Sequence, residues 1–213
     1  MSGKAQVGGD PYHHGDLANA CVRAALSLLH DHGLSGVTLR EVARCINVSR
    51  SAPYRHFADK RGLLAACARH GFEQLSQTAA RLLADYRTRD VAALRRLLHE
   101  YARFGAADPH LYRLMFASDF EVDEYPDMTA AAERAFYVLQ NAVISGQQAG
   151  TLAVEDRDGL VLTLWSSVHG LVSLHNELPT CSVLDTKALE ANLDRVLDIL
   201  LPTTVPSAVQ ATA

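Results

Sequence analysis

Between Arg50 and Lys60 the chain carries Arg50, Ser51, Tyr54, Arg55, His56 and Lys60, inside the run Thr38–Lys60, TLREVARCINVSRSAPYRHFADK. These side-chain types recognise nucleic acid. An arginine fork can hold both acceptors of a guanine edge, a pairing worth about 1–3 kcal/mol of discrimination, and Arg50 or Arg55 can make it. Tyr54, His56 and Lys60 suit phosphate oxygens, which fix register without reading sequence. Lys60 also stands in the first turn of a helix, where free N–H groups favour anions. Arg40 can reach base edges or backbone, and Thr38 and Ser49 complete the set of candidate contacts. Phe57 reads as an apolar plug that locks the surrounding helices.

Such contacts need a rigid support, and the same run supplies one. Thr38 is a natural N-cap, and Glu41 three residues later completes a capping box. Val42, Ala43 and Ile46 then face inward. Asn47 sits where the chain must turn and tolerates the left-handed conformation. Ser49 or Ser51 caps a second short helix ending near Phe57, and Asp59 caps the next. Upstream, Leu17, Ala20, Cys21, Ala24, Ala25, Leu28 and Leu29 recur at helical spacing from Asp16 until His32-Gly33. Two short helices around a tight turn, the second bearing exposed polar groups, form a helix-turn-helix layout.

Gly33-Leu34-Ser35-Gly36-Val37-Thr38, Val42-Ala43, Val48-Ser49 and Tyr54-Arg55-His56-Phe57…Lys60 resemble the DNA-binding domain of TetR/AcrR-type transcriptional regulators, over about residues 13–62. The resemblance implies that the helix holding Arg50–His56 enters the major groove of double-stranded operator DNA. It places Tyr54, His56 and Lys60 on backbone-contacting positions and Arg40, Arg50 and Ala52 on base-reading ones. Two residues depart from the pattern. Ala52 has no hydrogen bond to offer where a polar residue often reads a base, leaving it a thymine methyl. Pro53 removes one backbone donor from the short helix. Further on, Trp165-Ser166-Ser167-Val168-His169-Gly170 resembles the W…HG signature of one subgroup's C-terminal domain, and His110–Phe116 another stretch of it.

The rest of the chain must position this element. Its periodicity predicts an all-α protein of about nine helices: a flexible arm (1–12), the helix-turn-helix domain (13–62), a helical effector-binding and dimerisation domain (63–201) and a disordered tail (202–213). Residues 1–61 carry eight Lys/Arg against five Asp/Glu, whereas residues 62–213 carry twelve against nineteen. A cationic module on an acidic body argues against a sequence-tolerant DNA coat, which needs a basic surface overall. Phe104, Leu111, Met115, Phe116, Phe120, Tyr137, Gln140, Trp165 and His169 are candidates to line a cavity for a small hydrophobic effector. The apolar residues of the last two helices, about 156–201, exceed what a monomer covers and predict a homodimer, as the family resemblance also implies.

The combined expectation is a ligand-responsive regulator, most simply a repressor released from a palindromic operator by its effector. The rival is an all-α small-molecule-binding protein or enzyme using Trp165, His169 and Glu177, although no acid/base pair or nucleophile–base spacing supports turnover. No cofactor is implied. His99 and His110 lack metal-ligand spacing, so no metal is expected, and the four cysteines read as small buried residues of a reduced, cytoplasmic protein. The N-terminus lacks the apolar stretch of a signal peptide, and Gly159–Leu174 is too short and too polar to span a bilayer.

Overall fold

A computed structural model of the chain describes residues 17–85, 90–117, 120, 123–152, 156–178 and 188–201. The arm at 1–12, Asp16, Tyr86, Asp185, Cys181, the tail at 202–213 and residues 119, 121 and 122 of the acidic loop 119–125 lie outside them. Among the described residues the chain is all-α, with eight α-helices and one 3-10 turn. It divides into two compact units, Met1–Cys67 and Ala68–Ala213.

In the first unit, α1 (Leu17–Gly36) breaks at Gly33, whose φ of 66° only glycine adopts freely. The stop expected at His32-Gly33 is therefore a kink with one further turn behind it. Thr38 caps α2 (Leu39–Cys45): its Oγ1 accepts from the Glu41 backbone N–H at 3.1 Å. Val42 and Ala43 are buried, and Ile46 is half-buried. Asn47 takes φ 54°, the left-handed conformation anticipated for the turn. The 3-10 turn Pro53–Arg55 follows, and α1, α2 and this turn pack on one another. Asp59 opens α3 (Lys60–Asp85) by accepting from the Gly62 N–H at 2.9 Å.

The second expected helix of the pair is the ninth element, and it shrinks to that single 3-10 turn. Neither serine caps it. Ser49 and Ser51 hydrogen-bond each other at 3.2 Å, and Ala52 occupies the cap position without a side-chain acceptor. Pro53 at the first position has no N–H to satisfy, and its fixed φ favours a short, tight turn.

The second unit is built around α4 (Val91–Ala107), which packs against α5 (Pro109–Met115), α6 (Pro126–Gln148), α7 (Arg157–Glu177) and α8 (Leu189–Leu200). Asp90, Asp108 and Asp156 each accept the N–H three residues on, at 3.0, 3.0 and 2.9 Å, and start α4, α5 and α7. Each such cap is worth about 1 kcal/mol. Pro109 and Pro126 stand at first helical positions. Leu94, Val143, Leu164, Val168, Val172, Leu193 and Leu197 form the centre of the core. Gly105 lets α7 and α5 close on α4: a Cβ there would sit 2.6 Å from Val172 Cγ1 and 2.7 Å from the Tyr112 ring.

Candidate functional site

On the first unit, Thr38, Arg40, Ser49, Arg50, Ser51, Tyr54, Arg55 and His56 are all exposed, Tyr54 by 57%. They come from the cap and first turn of α2, the Asn47 turn and the 3-10 turn. Arg44 is neutralised by Glu41 at 2.8 Å, and its guanidinium hydrogen bond holds the Glu41 carboxyl below the usual range. Among the described residues no carboxylate pairs with Arg50 or Arg55, so their charge is available to an anionic partner.

Three sequence assignments change. Ala52 is only 8% exposed and lies beside the buried Pro53, so its methyl is spent on the unit's interior rather than offered to a thymine. Lys60 is half-buried, and its ammonium donates to the Leu34 carbonyl at 2.7 Å, tying α3 to the end of α1. An ammonium has three donors, which leaves two for a phosphate. Phe57 is half-buried, less enclosed than a plug.

The second unit contains a cavity of about 540 Å³ between α3, α4, α5, α6 and α7. Of the candidates, Met115, Phe116, Tyr137, Gln140 and Trp165 line it. Phe104, Leu111, Phe120 and His169 do not. Leu111 is buried and points to Gly71, where a Cβ would lie 3.3 Å from its Cδ1. Phe120 stacks edge-on with Tyr125 at 5.7 Å. Phe104 is half-buried on α4 outside the lining.

His169 stands behind the wall, in a polar aromatic knot. Tyr112 Oη lies 2.7 Å and Tyr101 Oη 3.0 Å from His169 Nδ1, and the two hydroxyls are 2.9 Å apart. Burial lowers the His169 pKa, which favours the neutral ring, and Nδ1 can accept a hydrogen bond from a tyrosine hydroxyl. Burial pushes the Tyr101 hydroxyl up to about 12 against hydrogen bonds from Tyr112 and Trp165. Tyr112 is raised too, by burial and then by its Tyr101 neighbour. Both tyrosines therefore remain protonated, and the knot is a chain of neutral donors and acceptors. Phe116 packs on it, its ring centroid 4.6 Å from His169 and 6.4 Å from Trp165. A smaller space of about 160 Å³ lies on its other side, lined by His169, Ser173, Asn176 and Glu177 among others. Trp165 faces the large cavity, whereas His169 and Glu177 line the small one, where Glu177 pairs with Arg113 at 3.6 Å; the three residues of the enzyme reading line no single space in common.

The sequence missed Phe72, Leu75, Tyr101 and Phe136 as lining. One signal was present: Leu97, Leu98 and Tyr101 share a face of α4, so a hydroxyl interrupts an otherwise apolar stripe. Cys45 is exposed on α2, against the expectation of burial, whereas Cys21 and Cys67 are buried, and burial pushes the Cys67 thiol up to about 12. Among the described residues no helix is long and apolar enough to cross a membrane, and no group of three or more His, Cys, Asp or Glu could hold a metal ion.

An exposed cationic and aromatic face on a helix-turn-helix, together with an all-α body holding an apolar cavity, defines the class of one-chain DNA-binding regulators. Comparison with known proteins narrows it. A sequence profile described as "Bacterial regulatory proteins, tetR family" matches residues 22–67, and one described as "Tetracyclin repressor-like, C-terminal domain" matches residues 94–200. The chain belongs to the TetR family of transcriptional regulators. It is 25% identical over 152 residues to the HTH-type transcriptional regulator CymR of Pseudomonas putida, covering 70% of this chain and 74% of that one. It is 46% identical over 50 residues to the class A tetracycline repressor from transposon 1721 of Escherichia coli, covering 24% and 23% of the two chains. Among solved structures, a protein of unknown function from Rhodococcus sp. RHA1 superimposes with a TM-score of 0.75 at 26% identity, covering 91% of this chain and all of the other. The Bacillus subtilis regulator FadR, solved with stearoyl-CoA, shares the fold at a TM-score of 0.68 and 15% identity, over 88% and 99% of the two chains.

Proposed function

We propose that this chain is a cytoplasmic homodimeric repressor that binds a near-palindromic operator and is released by a small hydrophobic effector. The observation that carries the reading is the pairing, in one chain, of the exposed Arg40, Arg50, Tyr54 and Arg55 face with a cavity of about 540 Å³ in the other unit. Arg40 and Arg50 read base edges. Tyr54, Arg55, His56 and the free donors of Lys60 hold phosphates, with Thr38, Ser49 and Ser51 adding shorter contacts.

One copy of so short a reader spans only a few base pairs, so two copies related by a two-fold axis are needed, at half-sites about 34–36 Å apart or a multiple. The interface we assign to α7 and α8. The chain itself already covers Leu164, Val168, Val172, Leu193 and Leu197, so these five do not argue for a partner. Leu162, Leu174, Leu178 and Ile199 remain exposed, Ile199 by 79%, and a second copy would cover them. The effector acts by binding one conformer better than the other; release by 10- to 100-fold needs about 1.4–2.8 kcal/mol of such discrimination.

Selection of binding sites from random duplexes tests this reading. A two-fold symmetric sequence bound by two chains is the expected result. No enrichment, or a site occupied by one chain, would remove it.

A further inference from the structure

The large cavity is apolar and aromatic, and its charges all have one sign. Phe72, Tyr101, Phe116, Phe136, Tyr137 and Trp165 supply six aromatic rings to its wall. The ionisable groups with them, apart from the tyrosines, are Glu100 on α4 and Glu133 on α6; no Lys, Arg or His is among the lining residues. Glu133 is exposed, and Glu100 is half-buried and shares one oxygen with Arg103 at 2.7 Å. Arg103 stands outside the lining and is drawn off by Glu190, also at 2.7 Å. A neighbouring space of about 430 Å³ between α3, α4 and α6 shares Val138 with this cavity. It has Asp90, Asn141, Ser145 and Gln148 as polar groups and again no cation.

An anionic ligand would lose its hydration on entering and find no positive partner, an expensive exchange in an apolar site. A cation meets the opposite environment. The negative faces of aromatic rings attract it directly, and the carboxylates stand at the wall to balance its charge. Such a ligand must also be bulky and apolar, to replace water along the ring-lined surface, and weakly hydrated, so that dehydration does not cancel the gain. Tyr101 adds selectivity of another kind. Its hydroxyl is already committed to Tyr112 and His169, so it presents ring rather than donor to the cavity.

We infer that the effector is a lipophilic cation, of the quaternary ammonium or phosphonium type, held by the aromatic wall with Glu133 and Glu100 as counter-charges. This rests on the effector-cavity reading above and specifies its ligand class. It also separates this chain from FadR, whose stearoyl-CoA carries phosphates.

Trp165 is the chain's only tryptophan and lines the cavity, so its fluorescence reports occupancy. The test uses two pairs of probes matched in shape and opposite in charge, on the full-length protein: tetraphenylphosphonium against tetraphenylborate, and decyltrimethylammonium against decyl sulfate below its micelle concentration. Saturable quenching by the cations, at least about tenfold tighter than by their anionic partners, is the expected result. The double variant Glu100→Gln/Glu133→Gln, checked for unchanged helicity by circular dichroism, should lose most of that preference. Anions binding as well as or better than cations would overturn the charge assignment and leave the effector cavity standing. So would a double variant that keeps the preference in full. Failure of all four probes to reach Trp165 would remove the cavity as an effector site as well.

Discussion

The two units use their polar side chains in opposite ways. In the first, Arg40, Arg50, Tyr54 and Arg55 stand in solvent over a core that includes Leu29, Val37, Val42 and Leu63. In the second, several polar groups pair with one another. Tyr101, Tyr112 and His169 close a triangle, and Arg95, His99 and Arg103 of α4 meet Glu190, Asp194 and Asp198 of α8. A surface left unsatisfied is ready for an external partner. A network of internal pairs fixes helices and shapes the space between them. The difference teaches where each part of a switch resides: contact chemistry in the first unit, shape in the second.

That contrast can be broken from the inside out. The second unit should depend most on its core. Leu164→Ala empties a fully buried site between α4, α6 and α8, and should cost about 2–5 kcal/mol of unfolding free energy. Denaturant melts would read this, and a loss below about 1 kcal/mol would mean the core is not the organising feature. Gly105→Ala forces a methyl against Val172 and Tyr112, and should cost about 1–3 kcal/mol. If the triangle shapes the cavity wall, the same change should also alter Trp165 emission; an unchanged spectrum would uncouple Tyr112 from the wall.

A pH test sharpens the comparison further. His169 is held neutral because its folded pKa lies below the ordinary value of about 6.5. The unfolded chain therefore binds the extra proton first, and stability contributed by the neutral ring is present above that value and falls as pH drops through it. Denaturation midpoints at pH 7.5 and 5.5 should differ less for His169→Gln than for the parent chain. Equal slopes would mean that the ring titrates like an exposed histidine. The smallest effect belongs to the surface ion pairs. Arg103→Ala removes partners that are half exposed, and should change stability by less than about 1 kcal/mol, the usual worth of such pairs.

Legibility in the sequence followed the same division. Thr38 as a cap, Asn47 as a left-handed turn residue and Asp59 at a helix start are local rules, and each holds in the structure. The second short helix was overestimated because Pro53 and the Ser49–Ser51 hydrogen bond favour a single tight turn over a capped helix. The cavity was half legible. Met115, Phe116 and Trp165 belong to segments that resemble parts of a family subgroup's C-terminal domain, but Phe72 and Phe136 look like ordinary core residues until α3 and α6 are seen to stand apart around a space. His169 is a candidate for the wall or a hydrogen-bonded core histidine by sequence, and the hydroxyls of Tyr101 and Tyr112, distant in sequence, show that it supports the wall from behind. Local capping is encoded within a few residues; a cavity is a property of five helices together.

The most direct test of this division of labour is the affinity for the selected duplex across a salt series, in the parent chain and two variants. For the parent, the logarithm of affinity should fall linearly with the logarithm of salt concentration, as phosphate contacts release counterions. Tyr54→Ala/Arg55→Ala, on the exposed face, should weaken binding by at least about tenfold and flatten that slope. Trp165→Ala, in the cavity wall, should keep both slope and affinity close to those of the parent chain while losing the response to ligand. The contrary result, intact binding in the first variant and lost binding in the second, would place DNA recognition in the body and contradict the account.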